Sequence, residues 1–162
     1  MGQTTILDCL TRHEVAFVVI GGMAAVAHGS SQLTQDLDIC VPLDAEAFLQ
    51  LQTALQDLHP RVRTGRERVP LDLDRDRAAR LKNLYLLTDE GNLDCLGDVI
   101  GVGGYEAALA ESVEIQLNGR SCRVLGLPAL IRSKEALGRP RDLLTATELR
   151  AILERSSEPP VS

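Results

Sequence analysis

Two short apolar segments joined through a glycine turn constrain the possible fold of this chain more than any other feature does. Residues 16–20, AFVVI, end at Gly21 and Gly22, and residues 36–41, DLDICV, form the next apolar run. A continuous β-branched run predicts a buried strand, and the intervening MAAVAH is rich in helix formers. The order is therefore strand, glycine turn, short helix and strand.

The segments after this unit are a mixture of helices and hairpins. Asp44 is a suitable N-cap for a helix whose apolar positions recur at helical spacing until Pro60. The runs NLYLLT and NLDCLGDVI, joined by DEGN, predict one hairpin, and the Asn118-Gly119 pair predicts the turn of a second. Residues 61–81 are rich in arginine and aspartate, and we expect there a loop, a short strand and a helical turn.

Two helices are expected at the end of the chain. Pro128 begins a helix over 129–137 that Gly138 ends, and the segment RDLLTATELRAILER forms the last one. Four apolar residues of the last helix are expected to face inward: Leu144, Leu149, Ile152 and Leu153.

Length and charge limit the classes of protein that the chain can belong to. Its 162 residues suit one domain, expected over 1–155, with a flexible tail over 156–162. The net charge of -6 disfavours binding to extended nucleic acid or to an anionic membrane. No apolar run approaches the roughly 18 residues of a membrane span, so we expect a cytoplasmic protein. The four cysteines lie singly in apolar stretches and are interpreted as core residues.

Asp36 and Asp38 need a compensating partner. Side chains alternate along a strand, so these two carboxylates share one face while Leu37 and Ile39 share the other. Two unit charges about 4 Å apart repel by about 4 kcal/mol at an effective dielectric near 20. Exposure to water, protonation, a nearby arginine or lysine, or a divalent cation would each offset this repulsion.

The surroundings of the pair favour a functional site over a solvated strand face. The two glycines end a strand where a helix N-terminus could present free N–H groups to a phosphate. A third carboxylate, Asp94, lies in a later strand between Leu93 and Cys95, although Asp98 lies on the same predicted strand face. Carboxylates are the hard oxygen ligands that Mg²⁺ prefers, so the pattern indicates phosphoryl-type transfer from a nucleoside triphosphate.

These motifs carry a resemblance to a known superfamily. The stretch VIGGMAAVAHGSSQLTQDLDI, the later LDCL and the late LIRSKEALGRPRDLLTATEL resemble the DNA polymerase beta-like nucleotidyltransferases, in particular small bacterial members of the minimal, toxin-antitoxin and antibiotic types. The resemblance covers about residues 4–155. It implies an α+β nucleotidyltransferase fold, with a mixed sheet flanked by helices and a helical C-terminus.

The resemblance also implies roles for individual residues. Asp36, Asp38 and Asp94 would be the catalytic acids and the ligands of two Mg²⁺ ions, with Mn²⁺ as a substitute. A second set of residues would bind the nucleotide: Gly21, Gly22, Ser30, Ser31, Thr34 and Lys134. Lys134 lies on an amphipathic helix, where either a phosphate contact or ordinary solvation suits it. Arg139 and Arg141 are weaker candidates of the same kind.

The function implied is that of a magnesium-dependent enzyme. It would move a nucleoside monophosphate from an NTP, such as ATP, to an acceptor hydroxyl on a small molecule, a protein or a tRNA. The alternative is a catalytically degenerate module that binds nucleotide or a protein partner, such as the helical toxin of a toxin-antitoxin pair. All three acids are present, which disfavours the degenerate module.

Overall fold

The computed structural model describes residues 2–158, which form seven α-helices and ten strands. The helices are α1 (Gly2–Arg12), α2 (Gly21–Ala27), α3 (Ala45–Leu55), α4 (Arg75–Arg80), α5 (Tyr105–Ala110), α6 (Leu127–Leu137) and α7 (Pro140–Ser157). The strands are β1 (Val18–Ile20), β2 (Leu37–Cys40), β3 (Arg61–Val62), β4 (Val69–Pro70), β5 (Asn83–Thr88), β6 (Gly91–Leu96), β7 (Asp98–Val99), β8 (Gly103–Gly104), β9 (Ser112–Leu117) and β10 (Arg120–Leu125).

Eight of these strands form one mixed sheet in the order β4-β3-β5-β6-β2-β1-β10-β9, while β7 and β8 pair separately. Strand β1 is antiparallel to β2 and parallel to β10, and β2 is parallel to β6. Helices α1 and α3 pack against each other, as do α6 and α7. The expected fold class, a mixed sheet flanked by helices with a helical C-terminus, is confirmed.

The centre of the sheet is buried on one face and open on the other. Leu37 and Ile39 of β2 and Cys95 of β6 are fully buried in the core. Asp38 and Asp94 are direct register partners, so they lie side by side on the opposite face. The alternation expected for the strand DLDICV thus holds, and it places two of the acids together.

Several caps and turns that were expected from the local sequence are present in the structure. The Asp44 side chain accepts a hydrogen bond from the backbone N–H of Ala47 at 2.7 Å and caps α3. Asn118 and Gly119 have φ values of 52° and 80°, which suit a type I′ hairpin turn. Gly138 ends α6 in the left-handed conformation. Within residues 2–158 no helix has both the length and the apolar character needed to cross a bilayer.

One expectation about the last helix was wrong. Leu144 is 68% exposed rather than inward-facing, whereas the acidic residue Asp142 of the same helix is buried. Leu149 is fully buried as expected. Helix α7 continues to Ser157, so residues 156 and 157 belong to the helix; residues 159–162 lie outside the described part of the chain, and the tail expected there stays a prediction.

Candidate active site

A cleft of about 400 Å³ lies over the open face of the central strands. On one side it is lined by Asp36, Asp38 and Asp94, the three acids predicted to be catalytic. On the other side it is lined by cations of α6 and α7 and of the segment between these helices: Lys134, Arg139 and Arg141. The sequence therefore predicted side chains from three distant segments that the fold brings to one place. Asp98, the competing candidate for the third acid, is exposed on β7, because β6 ends at Leu96.

Two of the three predicted acids, Asp38 and Asp94, have pKa values above the ordinary range. Burial, reinforced by the charges of Asp94 and Asp36, raises the pKa of Asp38 to about 6, against opposing effects of Lys134 and Arg63. Burial also raises the pKa of Asp94, although Arg63 opposes this rise. Asp36 accepts a hydrogen bond from the side-chain amide of Asn92 at 3.2 Å. The site is thus a cluster of negative charge that a cation would stabilise.

Gly21 and Gly22 lie directly against residues of this cluster. Gly21 has a φ of +64°, and a Cβ built there would collide with the carboxylate of Asp38. A Cβ on Gly22 would come within 2.8 Å of the Thr34 hydroxyl oxygen. Both glycines are therefore needed to leave room for Asp38 and Thr34. Thr34 in turn donates a hydrogen bond to the backbone carbonyl of Asp36 at 3.2 Å, which ties the loop to the acidic strand.

The basic side of the cleft is organised around Asp142. Its carboxylate, of which the side chain is 3% exposed, accepts hydrogen bonds from Lys134 Nζ at 3.3 Å and from Arg139 Nε at 2.5 Å. Burial favours the neutral acid, but the hydrogen bonds and charges of Arg139 and Lys134 lower the pKa of Asp142. Lys134 is 12% exposed and lines the cleft, so its charge is not on a solvated helix face.

The loop before β2 is fastened to α7 through Ser30 and Ser31, while its later residues, Gln32, Leu33 and Thr34, line the cleft. Ser30 Oγ donates to a carboxylate oxygen of Glu148 at 3.0 Å, and the backbone N–H of Ser31 donates to the other at 2.6 Å. These hydrogen bonds lower the pKa of Glu148, and the bond from the Ser31 N–H has the largest effect. Arg141 donates to the carbonyl oxygen of Leu33 at 3.0 Å. Neither serine is among the residues that line the cleft, so a nucleotide contact for either one stays a prediction.

An arginine outside the predicted site also reaches the acids. Arg63 follows β3, and one of its guanidinium nitrogens, Nη2, forms an ion pair with Oδ1 of Asp94. Arg63 comes from the segment over 61–81 in which the sequence shows no clear periodicity. Arg63 is therefore a cationic partner of the kind that would offset the repulsion between neighbouring carboxylates, and the acid that it contacts is Asp94.

The carboxylates that line the cleft suit a hard divalent cation in their chemistry, but they are not gathered closely around one point. Carboxylate oxygens are the donors that Mg²⁺ prefers, and the raised pKa of Asp38 reflects crowded negative charge that such an ion would offset. Within residues 2–158, however, no group of three or more His, Cys, Asp or Glu side chains is gathered closely enough to hold a metal ion. Asp94 is paired with Arg63 in this arrangement, so among the described residues no cationic side chain contacts Asp36 or Asp38 directly.

Sequence reasoning missed four residues that shape the site, namely Asn92, Arg63, Asp142 and Glu148. Asn92 could have been found, since it lies two positions before Asp94 and so shares its strand face. The other three act across long distances in the sequence or between helices. Their partners could be identified only after the fold placed β3 and α7 beside the cleft.

Comparison with solved structures identifies the fold, whereas no family model and no curated protein sequence matches the chain. The lincosamide antibiotic adenylyltransferase LnuA in its lincomycin-bound form matches with a TM-score of 0.62 and 17% identity, over 93% of this chain and 96% of that one. A Thermotoga maritima protein assigned provisionally as a nucleotidyltransferase matches with a TM-score of 0.57 and 19% identity, over 94% and 91% of the two chains. The antibiotic-resistance factor ANT(2'')-Ia matches with a TM-score of 0.55 and 17% identity, over 96% and 94%. The chain thus has the fold of these nucleotidyltransferases along nearly its full length.

Proposed function

We propose that this chain of nucleotidyltransferase fold is an enzyme that transfers a nucleoside monophosphate from an NTP to an acceptor hydroxyl, with a divalent cation as cofactor. One observation supports the proposal above all: the cleft places three carboxylates opposite Lys134, Arg139 and Arg141. An acidic side suits cation binding, and a basic side suits a polyphosphate. In the reaction the hydroxyl oxygen bonds to the α-phosphorus, the α–β phosphoanhydride bond breaks, and pyrophosphate leaves.

The side chains of the cleft take distinct parts in this proposal. Lys134 and Arg139 bind the phosphates and offset the charge that develops on the departing pyrophosphate. Asp36, Asp38 and Asp94 hold the cation, and Asp94 also accepts the proton of the acceptor hydroxyl. That cation, Mg²⁺ or Mn²⁺, supplies Lewis-acid activation of the hydroxyl and clamps the phosphates when bound. Thr34 shapes the floor of the nucleotide site together with Gly22.

Two of the structural neighbours support a choice of donor and acceptor. LnuA is an adenylyltransferase bound to lincomycin, and ANT(2'')-Ia has been solved with adenylyl-2''-tobramycin. We therefore propose ATP as the donor and a small hydroxylated molecule as the acceptor. A protein or tRNA acceptor, and the helical toxin partner, stay predictions from the sequence.

Substitution of the paired aspartates tests the proposal. The full chain is incubated with Mg²⁺ or Mn²⁺, each labelled NTP and a panel of hydroxylated small molecules, and transfer is followed together with pyrophosphate release. Asp36→Asn and Asp38→Asn should each reduce transfer by about 100-fold or more, since each removes a charged ligand from the reacting centre. Asp98→Asn is the matched control, because this exposed aspartate lies outside the cleft.

Two results would contradict the proposal. Transfer that is unchanged in both cleft variants would place the chemistry elsewhere. Absence of both transfer and pyrophosphate release, with metal-dependent nucleotide binding retained, would instead support the degenerate nucleotide-binding module. The Asp98→Asn protein must retain the wild-type rate for either comparison to hold.

A further inference from the structure

The ion pair between Arg63 and Asp94 crosses a whole strand of the sheet. The backbone N–H of Arg63 donates to the carbonyl oxygen of Tyr85 at 2.8 Å, which continues the pairing of β3 with β5. Tyr85 is in turn the register partner of Asp94 on β6. The guanidinium of Arg63 therefore passes over β5 to reach the acid, and only a side chain of this length can make the contact from β3.

The contact is selective among the arginines of its segment. The side chains of Arg63 and Asp94 are 26% and 22% exposed, so the pair is screened less by water than a surface ion pair is. Arg66 is exposed at the tip of the same segment, and Arg68 is exposed and donates to the carbonyl oxygens of Arg63 and Gly65. Of the three, Arg63 is the one whose side chain meets a carboxylate of the cleft.

The position of this charge matters because Asp94 is the register partner of Asp38. Two adjacent carboxylates on one strand face repel, and one cation placed on either of them relieves that repulsion. A guanidinium and a metal ion that share one carboxylate would repel each other in the same way. The guanidinium thus does for Asp94 what a metal ion would do, and it contacts Oδ1, one of the two carboxylate oxygens available to an ion.

We propose that Arg63 is an internal counter-ion of Asp94 that competes with the divalent cation for this carboxylate. The inference rests on the proposed function, since it takes the cleft as a cation site. Without a metal ion, Arg63 stabilises the acidic strands. When the cation binds, Asp94 exchanges its ion pair with Arg63 for the metal. The free energy needed to separate the ion pair therefore weakens the affinity for the cation.

Mn²⁺ binding to the full-length protein tests the competition, because it is measured without acceptor or turnover. Titration of wild type and Arg63→Gln, followed calorimetrically and by the free-ion signal of Mn²⁺ in electron paramagnetic resonance, gives the dissociation constants. We expect Arg63→Gln to bind Mn²⁺ about fivefold more tightly, which corresponds to about 1 kcal/mol for a partly exposed pair. In EDTA the same variant should melt at a lower temperature than wild type, because Asp94 has lost its cation.

Three further variants separate direct competition from a general change in charge. Arg66→Gln removes the same charge from the same segment without touching Asp94, and it should bind Mn²⁺ as wild type does. Arg63→Lys keeps the charge but loses the planar donor group, and its affinity should lie between those of wild type and Arg63→Gln. In the Asp94→Asn background the gain from Arg63→Gln should vanish, since no carboxylate is left to compete for.

The remaining outcomes decide against the inference. Equal Mn²⁺ affinity in wild type and Arg63→Gln, or an equal gain in Arg66→Gln, would overturn it while leaving the proposed function intact. Weaker binding in Arg63→Gln would show that Arg63 orients Asp94 for the metal instead of competing with it. Absence of Mn²⁺ binding in every protein, with and without ATP, would overturn the inference together with the cation-dependent part of the proposed function. If Arg63→Gln does not fold, Arg63→Lys carries the same comparison.

Discussion

At the scale of single residues, Asp38 is the most strongly perturbed acid of the site. It lies between Ile20 and Asp94 in the sheet, where burial and neighbouring carboxylates raise its pKa to about 6. In the unfolded chain the group has its ordinary value of 3.8. The folded protein therefore binds a proton at Asp38 more tightly than the unfolded chain does, and the pH dependence of stability reports this difference.

The stability of the metal-free protein should show the effect as a difference between wild type and Asp38→Asn. The ionisation of Asp38 lowers the free energy of unfolding progressively as the pH rises from about 4 to 6. Below about pH 4 this destabilisation is small, and above about pH 6 it is constant. Asp38→Asn removes it, so the variant should gain up to about 2–3 kcal/mol over wild type at pH 7 and little at pH 4. Urea denaturation in EDTA across this range measures the gain; a gain independent of pH would show that titration of Asp38 is not its cause.

The residues of the acidic side were predictable from the sequence, whereas their partners were not. Asp38 and Asp94 lie in strands whose alternation fixes which face each side chain takes, and Asp36 directly precedes the strand of Asp38. Arg63 lies just past a two-residue strand in a charged segment, where no periodic pattern indicates a face. Its contact depends on β3 being placed beside β5, which is a property of the whole sheet.

At the scale of secondary-structure elements, the corner between α6 and α7 holds the basic side of the cleft in place. Asp142, in the first turn of α7, binds Lys134 of α6 and Arg139 of the connecting segment. A buried carboxylate is unfavourable by itself, so we expect that Asp142 serves to fix the two cations. The sequence predicted both helices and an apolar buried face for the last one. It did not predict that Asp142 is buried on that helix, because helical spacing alone does not reveal a buried ion pair.

Removal of this anchor should destabilise the protein. Asp142→Ala leaves Lys134 nearly buried without its partner, so we expect a loss of about 3 kcal/mol in the free energy of unfolding. Leu144→Ala on the same helix should cost less than about 0.5 kcal/mol, since Leu144 is exposed. Chemical denaturation of both variants at pH 7 makes the comparison. Equal losses would show that Asp142 is not an anchor of the corner.

At the scale of the whole molecule, the cleft is assembled from both ends of the chain. The acids come from β2 and β6 and from the residue before β2, while the cations come from α6 and from residues 139 and 141. Ligands that contact both sides should therefore stabilise the entire domain. Sequence patterns could predict each element separately, but the position of β6 beside β2 and that of α6 at the cleft depend on tertiary packing.

Thermal unfolding should record this linkage. With Mg²⁺ or Mn²⁺ and ATP at about 100 times the dissociation constant, the folded state gains about 2.7 kcal/mol, which for a domain of this size raises the Tm by about 5–10 °C. Metal alone should give a smaller rise, and Asp36→Asn should lose most of both. A Tm that is the same with and without metal and each NTP would argue against ligand binding in the cleft.

The interior position of β1 sets the order in which the sheet can be completed. One of its neighbours, β2, follows closely in the chain, but the other, β10, pairs with it about 100 residues later through Val19 and Val124. During synthesis, the apolar strand Val18–Ile20 therefore has one edge without a partner until most of the protein has been translated. We expect this exposed edge to make the nascent chain dependent on protection from self-association until β10 emerges. All three acids precede β10, so a truncated chain would carry them on a sheet that lacks its closing strand.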